Sequence, residues 1–229
     1  MSEAEPDETA TPEQLLDAVY EHRFGDADAA RKDAIWQQLG PFVGRYVPSG
    51  GRVLDVACDR GYFIRNVPAR EKWATDVRDV SGHLPADIRF VQVDGLRLHE
   101  AVPLDHFDAV FMSNYLEHLP SAEMVIRQLE VAHCVLAPGG RLIVLQPNAR
   151  LVGGAYWNFI DHKVALTDRS LTEAAELAGF RTIHCIARFL PYTTKSRLPQ
   201  NPALVRAYLA VRPLWWIFGK QTLYVGIRA

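Results

Sequence analysis

Seven short apolar runs spaced by helical stretches constrain this chain more than any other feature. They are 52–56 (RVLDV), 72–76 (KWATD), 89–93 (RFVQV), 107–112 (FDAVFM), 141–146 (RLIVLQ), 182–187 (TIHCIA) and 222–227 (TLYVGI). Helical patterns fall near 61–67, 121–136 and 169–179. Short strands alternating with helices predict an α/β fold with a mostly parallel sheet covered on both faces. Two connections, 147–168 and 188–219, are long and rich in aromatics, and connections of that length inside a compact domain are usually functional.

The bulk properties narrow the class. With 229 residues, 48% hydrophobic and 23% charged, the chain suits one globular domain with a sizeable core. A net charge of −2 gives no basic field, so no nucleic acid is expected as partner. Cys58, Cys134 and Cys185 lie far apart without a C-x-x-C pair. That argues against a zinc site or a disulfide framework and fits a reducing, cytoplasmic setting. The acidic start MSEAEPDETATPEQ has no apolar core of a signal peptide. The longest apolar cluster, PLWWIF (213–218), is far shorter than the roughly 18 residues of a membrane span. Residues 1–11 read as a disordered tail, and 12–229 as a single domain. Residues 12–47 carry helical stripes (Leu15, Leu16, Val19, Tyr20; then Ala34, Ile35, Leu39, Phe42, Val43), and Pro48-Ser49-Gly50-Gly51 ends them.

The chemistry concentrates where strands end. The first strand runs into RVLDVACDRGYF, with Asp55 at its end and a turn Ala57-Cys58-Asp59-Arg60-Gly61 before a helix, an arrangement that offers backbone N–H groups to a ligand. A second acid, Asp76, ends strand two about 20 residues on, where a carboxylate can take both ribose hydroxyls of an adenosine cofactor. Strand three ends at Asp94-Gly95, where a carboxylate can accept an adenine amino hydrogen. One such aspartate is more often a turn former or cap; three on consecutive strands point to a nucleoside pocket. Strand four continues as FDAVFMSNYLEHLP, followed by LAPGGRLIVLQPN and by SLTEAAELAGF, a helix expected to have Ser170 as N-cap and Gly179 as C-cap.

These segments, VLDVACDRG, ATDV, VDGL, FDAVFMSNYLEHL and LAPGGRLIVLQPN, resemble in order and spacing the class I S-adenosylmethionine-dependent methyltransferases. The resemblance covers roughly residues 50–187. Pro-Gly-Gly before strand five and Leu-Glu-His after strand four are its most specific parts, and the segments beyond look like a bacterial small-molecule branch. It implies a Rossmann-like seven-stranded sheet with the last strand antiparallel, and S-adenosylmethionine as cofactor. It puts Asp55, Ala57, Cys58, Asp59 and Gly61 under the methionine part, Asp76 with Val77 at the ribose, Asp94 with Gly95 at the adenine, and the Ser113-Asn114 backbone at the methionine ammonium. It also implies that the N-terminal helix lids the cofactor, with Tyr20 and Arg23 on it.

The departure from the family pattern is Asp59, where such loops carry glycine; Ala57 is the milder change. Aspartate tolerates a positive φ better than most residues. Its charge repels the cofactor's carboxylate and attracts its ammonium or sulfonium, either effect being of order 4 kcal/mol at about 4 Å and an effective dielectric near 20. Arg60 beside it is the expected neutralising partner.

Methyl transfer needs an in-line nucleophile and often a base. His118, His162 and Asn148 are the candidates, with Glu117 behind. Each has a plainer reading: Glu117-His118 as a cap, Asn148 as a turn residue, His162 as part of a lid. Arg188, Tyr192 and Lys195 in RFLPYTTKSRLP suggest recognition of a phosphorylated or sugar-nucleotide substrate. The segment 203–220 offers either peripheral membrane contact or packing of Trp215, Trp216 and Phe218 on the sheet or in a homodimer. The expectation is methyl transfer to an O or N nucleophile of a small molecule, by a monomer or homodimer. Its rivals are a methyltransferase-fold enzyme with a repurposed nucleotide pocket, an NAD(P)-binding Rossmann protein, disfavoured because G-x-G-x-x-G is missing, and a non-catalytic partner of another enzyme.

Overall fold

The computed structural model describes residues 26–192 and 201–229. Tyr20, Arg23 and Lys195, the tail 1–11 and the first half of the N-terminal helical stretch lie outside the described residues. Helix α1 (Asp26–Val43) leads to β1 (Arg52–Val56), α2 (Tyr62–Asn66) and β2 (Glu71–Asp76). Then come β3 (Ile88–Gln92), α3 (Leu98–Ala101), β4 (Phe107–Ser113), α4 (Ala122–Val135), β5 (Leu136–Pro147) and α5 (Ala149–Val152). The chain closes with α6 (Asp168–Leu177), β6 (Phe180–Leu190), α7 (Pro202–Ala210), α8 (Arg212–Phe218) and β7 (Gln221–Arg228).

The sheet has seven strands in the order β3-β2-β1-β4-β5-β7-β6. The strands from β3 to β5 are parallel, and β7 is antiparallel to both its neighbours, as the resemblance implies. The order reverses between β1 and β4, and their carboxyl ends border the crevice where α/β sheets bind ligands.

Period-two alternation divides the core between two faces. Leu54, Val56, Val110, Met112, Leu142 and Val144 point to one side, where α4 and α6 bring Leu129, Ala132, Leu171 and Ala175. Val53, Ala109, Phe111, Ile143 and Leu145 point to the other, against Leu39, Val43, Phe63, Ile64 and Trp215. Both faces are therefore dry, which explains why these strands read as continuous apolar runs. Phe63 and Phe111 stack with centroids 3.7 Å apart, and Trp36 meets Phe111 edge-on at 6.0 Å.

Several local expectations are corrected. Helix α6 is capped by Thr167, with Ser170 at the third helical position completing a reciprocal capping box; that pairing satisfies one more N–H than Ser170 alone would. Gly179 does lie just past the helix with φ 91°. Pro138-Gly139-Gly140 is a bulge inside β5, with a register shift opposite Phe107 to Ala109 and a left-handed Gly139, rather than a turn ahead of the strand. Trp215 packs on Phe42 and Phe189, whereas Trp216 is 76% exposed and Phe218 43%, so only the first of the three covers the sheet. Among the described residues no helix is long and apolar enough to cross a membrane.

The loop from β1 to α2 is the most contorted segment. Ala57, Asp59 and Gly61 have φ of 55°, 50° and 68°, three alternate left-handed residues in five. Cys58 N–H reaches back to the Thr75 carbonyl at 2.9 Å and Gly61 N–H to the Cys58 carbonyl at 2.8 Å. Ala57 is therefore not the mild change its size suggests, because an L-residue in this conformation costs ~1–2 kcal/mol.

Phe111→Ala should destabilise the fold by about 3–5 kcal/mol, read as a lower urea midpoint at unchanged slope. Ala57→Gly should raise that midpoint: left-handed strain of ~1–2 kcal/mol is relieved against an unfolded-state entropy cost of ~0.4–1 kcal/mol. A fall would mean that the alanine methyl packs productively.

Candidate cofactor and acceptor site

Asp76 organises the loop at the strand ends. Its Oδ2 accepts the Asp59 N–H at 3.0 Å, and its Oδ1 accepts the Arg78 backbone N–H at 3.0 Å and the Arg78 Nε–H at 3.2 Å. The Arg78 guanidinium also reaches Asp59 Oδ1 at 3.2 Å. The charge that Asp59 brings into the loop is thus met by Arg78, two residues past β2. Arg60, the sequence neighbour expected to do this, is not the residue in that pair. The signal for Arg78 was its spacing: it follows Asp76 by two residues, which lets its own N–H and its guanidinium address one carboxylate.

The other loop residues divide between ligand side and core. Asp55 is 3% exposed; it accepts the Ile64 N–H, and burial pushes its carboxyl well above the usual range, with Asp76 and Asp59 adding to the shift. The Cys58 side chain is turned into the core, where burial drives its thiol up. Val77 is partly exposed and its carbonyl accepts the Gln92 side-chain amide at 2.9 Å. Asp94 caps a short helical turn through the Leu96 N–H at 2.9 Å, the plainer of its two readings. Gly95 is required: a Cβ there would lie 2.4 Å from the Tyr115 hydroxyl, which donates to Gln128 Oε1 at 2.8 Å. Burial, with Asp94 and Asp76 nearby, pushes the Tyr115 hydroxyl far up, so it stays a neutral donor at the edge of this acidic rim. Asn114 is left-handed at φ 48°; its N–H donates to the Leu145 carbonyl at 2.9 Å and its side chain to Ser113 Oγ at 3.0 Å.

This donor set fits S-adenosylmethionine. Its ammonium, two ribose hydroxyls and adenine amino group all present N–H or O–H donors, and the rim offers carboxylates at the ends of three adjacent strands. Asp76 already accepts four N–H groups from Asp59 and Arg78, about the full capacity of a carboxylate, so a ribose hydroxyl would take the place of the longest of them, the Arg78 contact at 3.5 Å.

Beyond β4 a second cluster forms. His118 Nδ1 lies 3.0 Å from the Asp161 carbonyl oxygen and 3.4 Å from its carboxylate. A carbonyl only accepts, so Nδ1 carries the proton and Nε2 faces the other way. Asp161, 43 residues on in the chain, therefore orients His118. The His118 and His162 rings are 5.1 Å apart, and His162 is surrounded by Tyr156 at 4.6 Å and Phe159 at 5.1 Å, with Tyr192 at 6.2 Å from Phe159. Tyr156 donates to the Val164 carbonyl at 2.6 Å. Glu117 lies below, 1% exposed, and burial raises its carboxyl pKa.

The remaining predicted residues take structural positions. Asn148 is fully buried and donates to Asp168 Oδ1 at 2.7 Å and Thr222 Oγ1 at 3.0 Å; it knots the ends of β5, α6 and β7 rather than facing an acceptor. Arg188 donates to the carbonyls of Trp216 and Gly219 at 3.3 and 3.4 Å, fastening β6 to α8. Arg78, Tyr115 and Tyr156 were missed by sequence reasoning: Arg78 touches both Asp76 and the more distant Asp59, and the partners of the two tyrosines, Gln128 and the Val164 carbonyl, carry no motif of their own.

Comparison with known proteins agrees with this geometry. A family model described as a methyltransferase domain matches residues 28–185. The chain is 28% identical over 144 residues to a ubiquinone biosynthesis O-methyltransferase from Xanthomonas axonopodis pv. citri (strain 306), covering 56% of this chain and 57% of that one, so the match spans little more than half the length of the relative. An S-adenosylmethionine-dependent methyltransferase from Archaeoglobus fulgidus shares the fold at TM-score 0.63 and 17% identity, over 93% of this chain and 99% of that one. One from Mesorhizobium loti does so at TM-score 0.60 and 19% identity, over 82% and 96%. The cofactor these matches imply is S-adenosylmethionine. With more than half of its residues matched by the family model and the sheet order and strand-end acids in agreement, the chain belongs to the methyltransferase domain family.

Proposed function

We propose that the protein methylates an oxygen nucleophile on a small, planar molecule, using S-adenosylmethionine. The observation that carries this reading is the His118–His162 pair, walled by Tyr156, Phe159 and Tyr192, at the carboxyl end of the strand whose Ser113-Asn114 turn borders the cofactor loop. Aromatic walls suit a flat acceptor, and imidazoles beside a hydroxyl lower the cost of losing its proton. The relative's O-methyltransferase name supports oxygen over nitrogen. The phosphate or sugar-nucleotide reading loses support, because Arg188 is engaged with backbone carbonyls.

Bound S-adenosylmethionine supplies an electrophilic methyl group on a sulfonium. The protein's own residues do the rest. Asp76, held in place by Arg78 and the Asp59 N–H, accepts the ribose hydroxyls. Asp94 accepts from the adenine, and the Ser113-Asn114 backbone receives the ammonium. Arg78 cancels the Asp59 charge, so the loop keeps the polarity of its glycine-bearing relatives. The aromatic walls exclude water, and His118, aligned by Asp161, meets the acceptor hydroxyl.

Calorimetric titration with S-adenosylhomocysteine should show one site, weakened at least tenfold in Asp76→Ala, since a hydrogen bond to a charged group contributes ~1.5–3 kcal/mol. Transfer of labelled methyl to a panel of hydroxylated aromatic compounds should follow; binding without transfer to any oxygen acceptor would refute the reading. A double-mutant cycle of Asp59→Gly and Arg78→Ala on the same affinity should give a coupling of about 1 kcal/mol. A coupling near zero would make the ion pair a spectator.

A further inference from the structure

The acceptor-side cluster contains an unusual buried carboxyl group. Glu117 is 1% exposed, and neither of its carboxylate oxygens has a hydrogen-bond partner among the described residues. Its backbone carbonyl is well used, accepting Lys163 N–H at 2.8 Å and Val164 N–H at 3.1 Å, so the residue is held firmly while its side chain is not satisfied. An ionised carboxylate buried without a counter-charge costs several kcal/mol, and a buried polar group without a partner usually marks a ligand or a functional strain. One donor atom each from Glu117, His118 and His162 lies within 4.8 Å of the other two.

We propose that Glu117, His118 and His162 bind one divalent first-row transition cation, with an open coordination position toward the aromatic pocket. This deepens the methyl-transfer reading and rests on it for the cation's role: with both imidazoles ligating, the cation rather than a free imidazole holds the acceptor oxygen and makes its hydroxyl more acidic.

The chemistry of the donors supports the assignment. Two imidazoles and one carboxylate suit zinc, manganese, iron(II) or cobalt rather than the all-oxygen sites of magnesium and calcium. Three protein ligands with a free position are the pattern of a catalytic rather than a structural site. His118 already has the support such ligands need: its Nδ1–H is committed to Asp161, which fixes the tautomer and turns the Nε2 lone pair outward. Tetrahedral ligands at ~2.1 Å from a metal sit about 3.4 Å apart, so donor atoms within 4.8 Å of one another need to close by no more than about 1.4 Å, within side-chain rotation. The ligands come from two segments, the turn after β4 and the long connection after β5, which a cation would tie together.

The test is titration of tag-free, chelator-stripped full-length protein with cobalt(II), read by its visible absorption and by calorimetry, beside Glu117→Gln and His162→Ala. The expected result is one equivalent bound by the wild type, with affinity reduced at least tenfold in each variant. Glu117→Gln keeps the side chain's size and removes its charge, so it retains the fold if His162→Ala does not; thermal melts report which variants are folded. Absence of stoichiometric binding by the wild type, or wild-type affinity in folded Glu117→Gln, would overturn the proposal. Titration with S-adenosylhomocysteine in the presence of chelator reads the cofactor pocket separately, so failure of the metal site and failure of the methyltransferase reading give different results.

Discussion

The structure depends on how the chain leaves β1. Between Val56 and Tyr62 it must turn sharply enough to start α2 against the sheet, and it does so with three alternate left-handed residues, only one of them glycine. Strain of that kind persists only where the surroundings over-determine it. Here they do: Asp76 captures the Asp59 N–H, Arg78 grips both carboxylates, and the Cys58 N–H pairs with Thr75. The loop is therefore welded to the end of β2. A small movement of either strand would shift the carboxylates of Asp59 and Asp76 together.

That weld explains how an aspartate can replace a glycine in a loop built to approach an anionic and cationic ligand at once. Left alone, Asp59 would place an uncompensated charge near the methionine carboxylate. With Arg78 beside it, the pair is close to neutral, and the guanidinium at the same time holds Asp76 in its productive orientation. One arginine thus carries out two tasks, charge compensation and positioning, and the loop chemistry cannot be judged from its own residues alone.

The acceptor side shows a different economy. Tyr156, Phe159, His162 and Tyr192 converge from the long connection after β5 and the end of β6, while Glu117 and His118 come from the turn after β4. Rigid strand ends supply one half of the site and a long aromatic connection the other, so the cofactor half is set by the sheet and the acceptor half by the part of the chain most free to vary. Family membership accordingly speaks for the first half and leaves the second to this chain's own residues.

Local pattern was enough for much of this. The period-two runs Val53–Val56, Ala109–Met112 and Leu142–Leu145 identified buried parallel strands, because burial on both faces leaves no polar alternation to confuse them. Asp55, Asp76 and Asp94 were legible as acids at the ends of successive strands, because the side of a parallel sheet that can bind ligands is determined by chain direction. What only the tertiary structure decided are the pairings across distance. Arg78 answers Asp59 from beyond β2, Asp161 aligns His118, and Asn148 and Arg188, attractive as site residues, are spent on holding elements together. The physical reason is common to all: a side chain's role follows from which polar groups lie within about 3 Å of it, and for residues 19 to 74 positions apart that is set by the packing of the sheet and its helices, not by spacing along the chain.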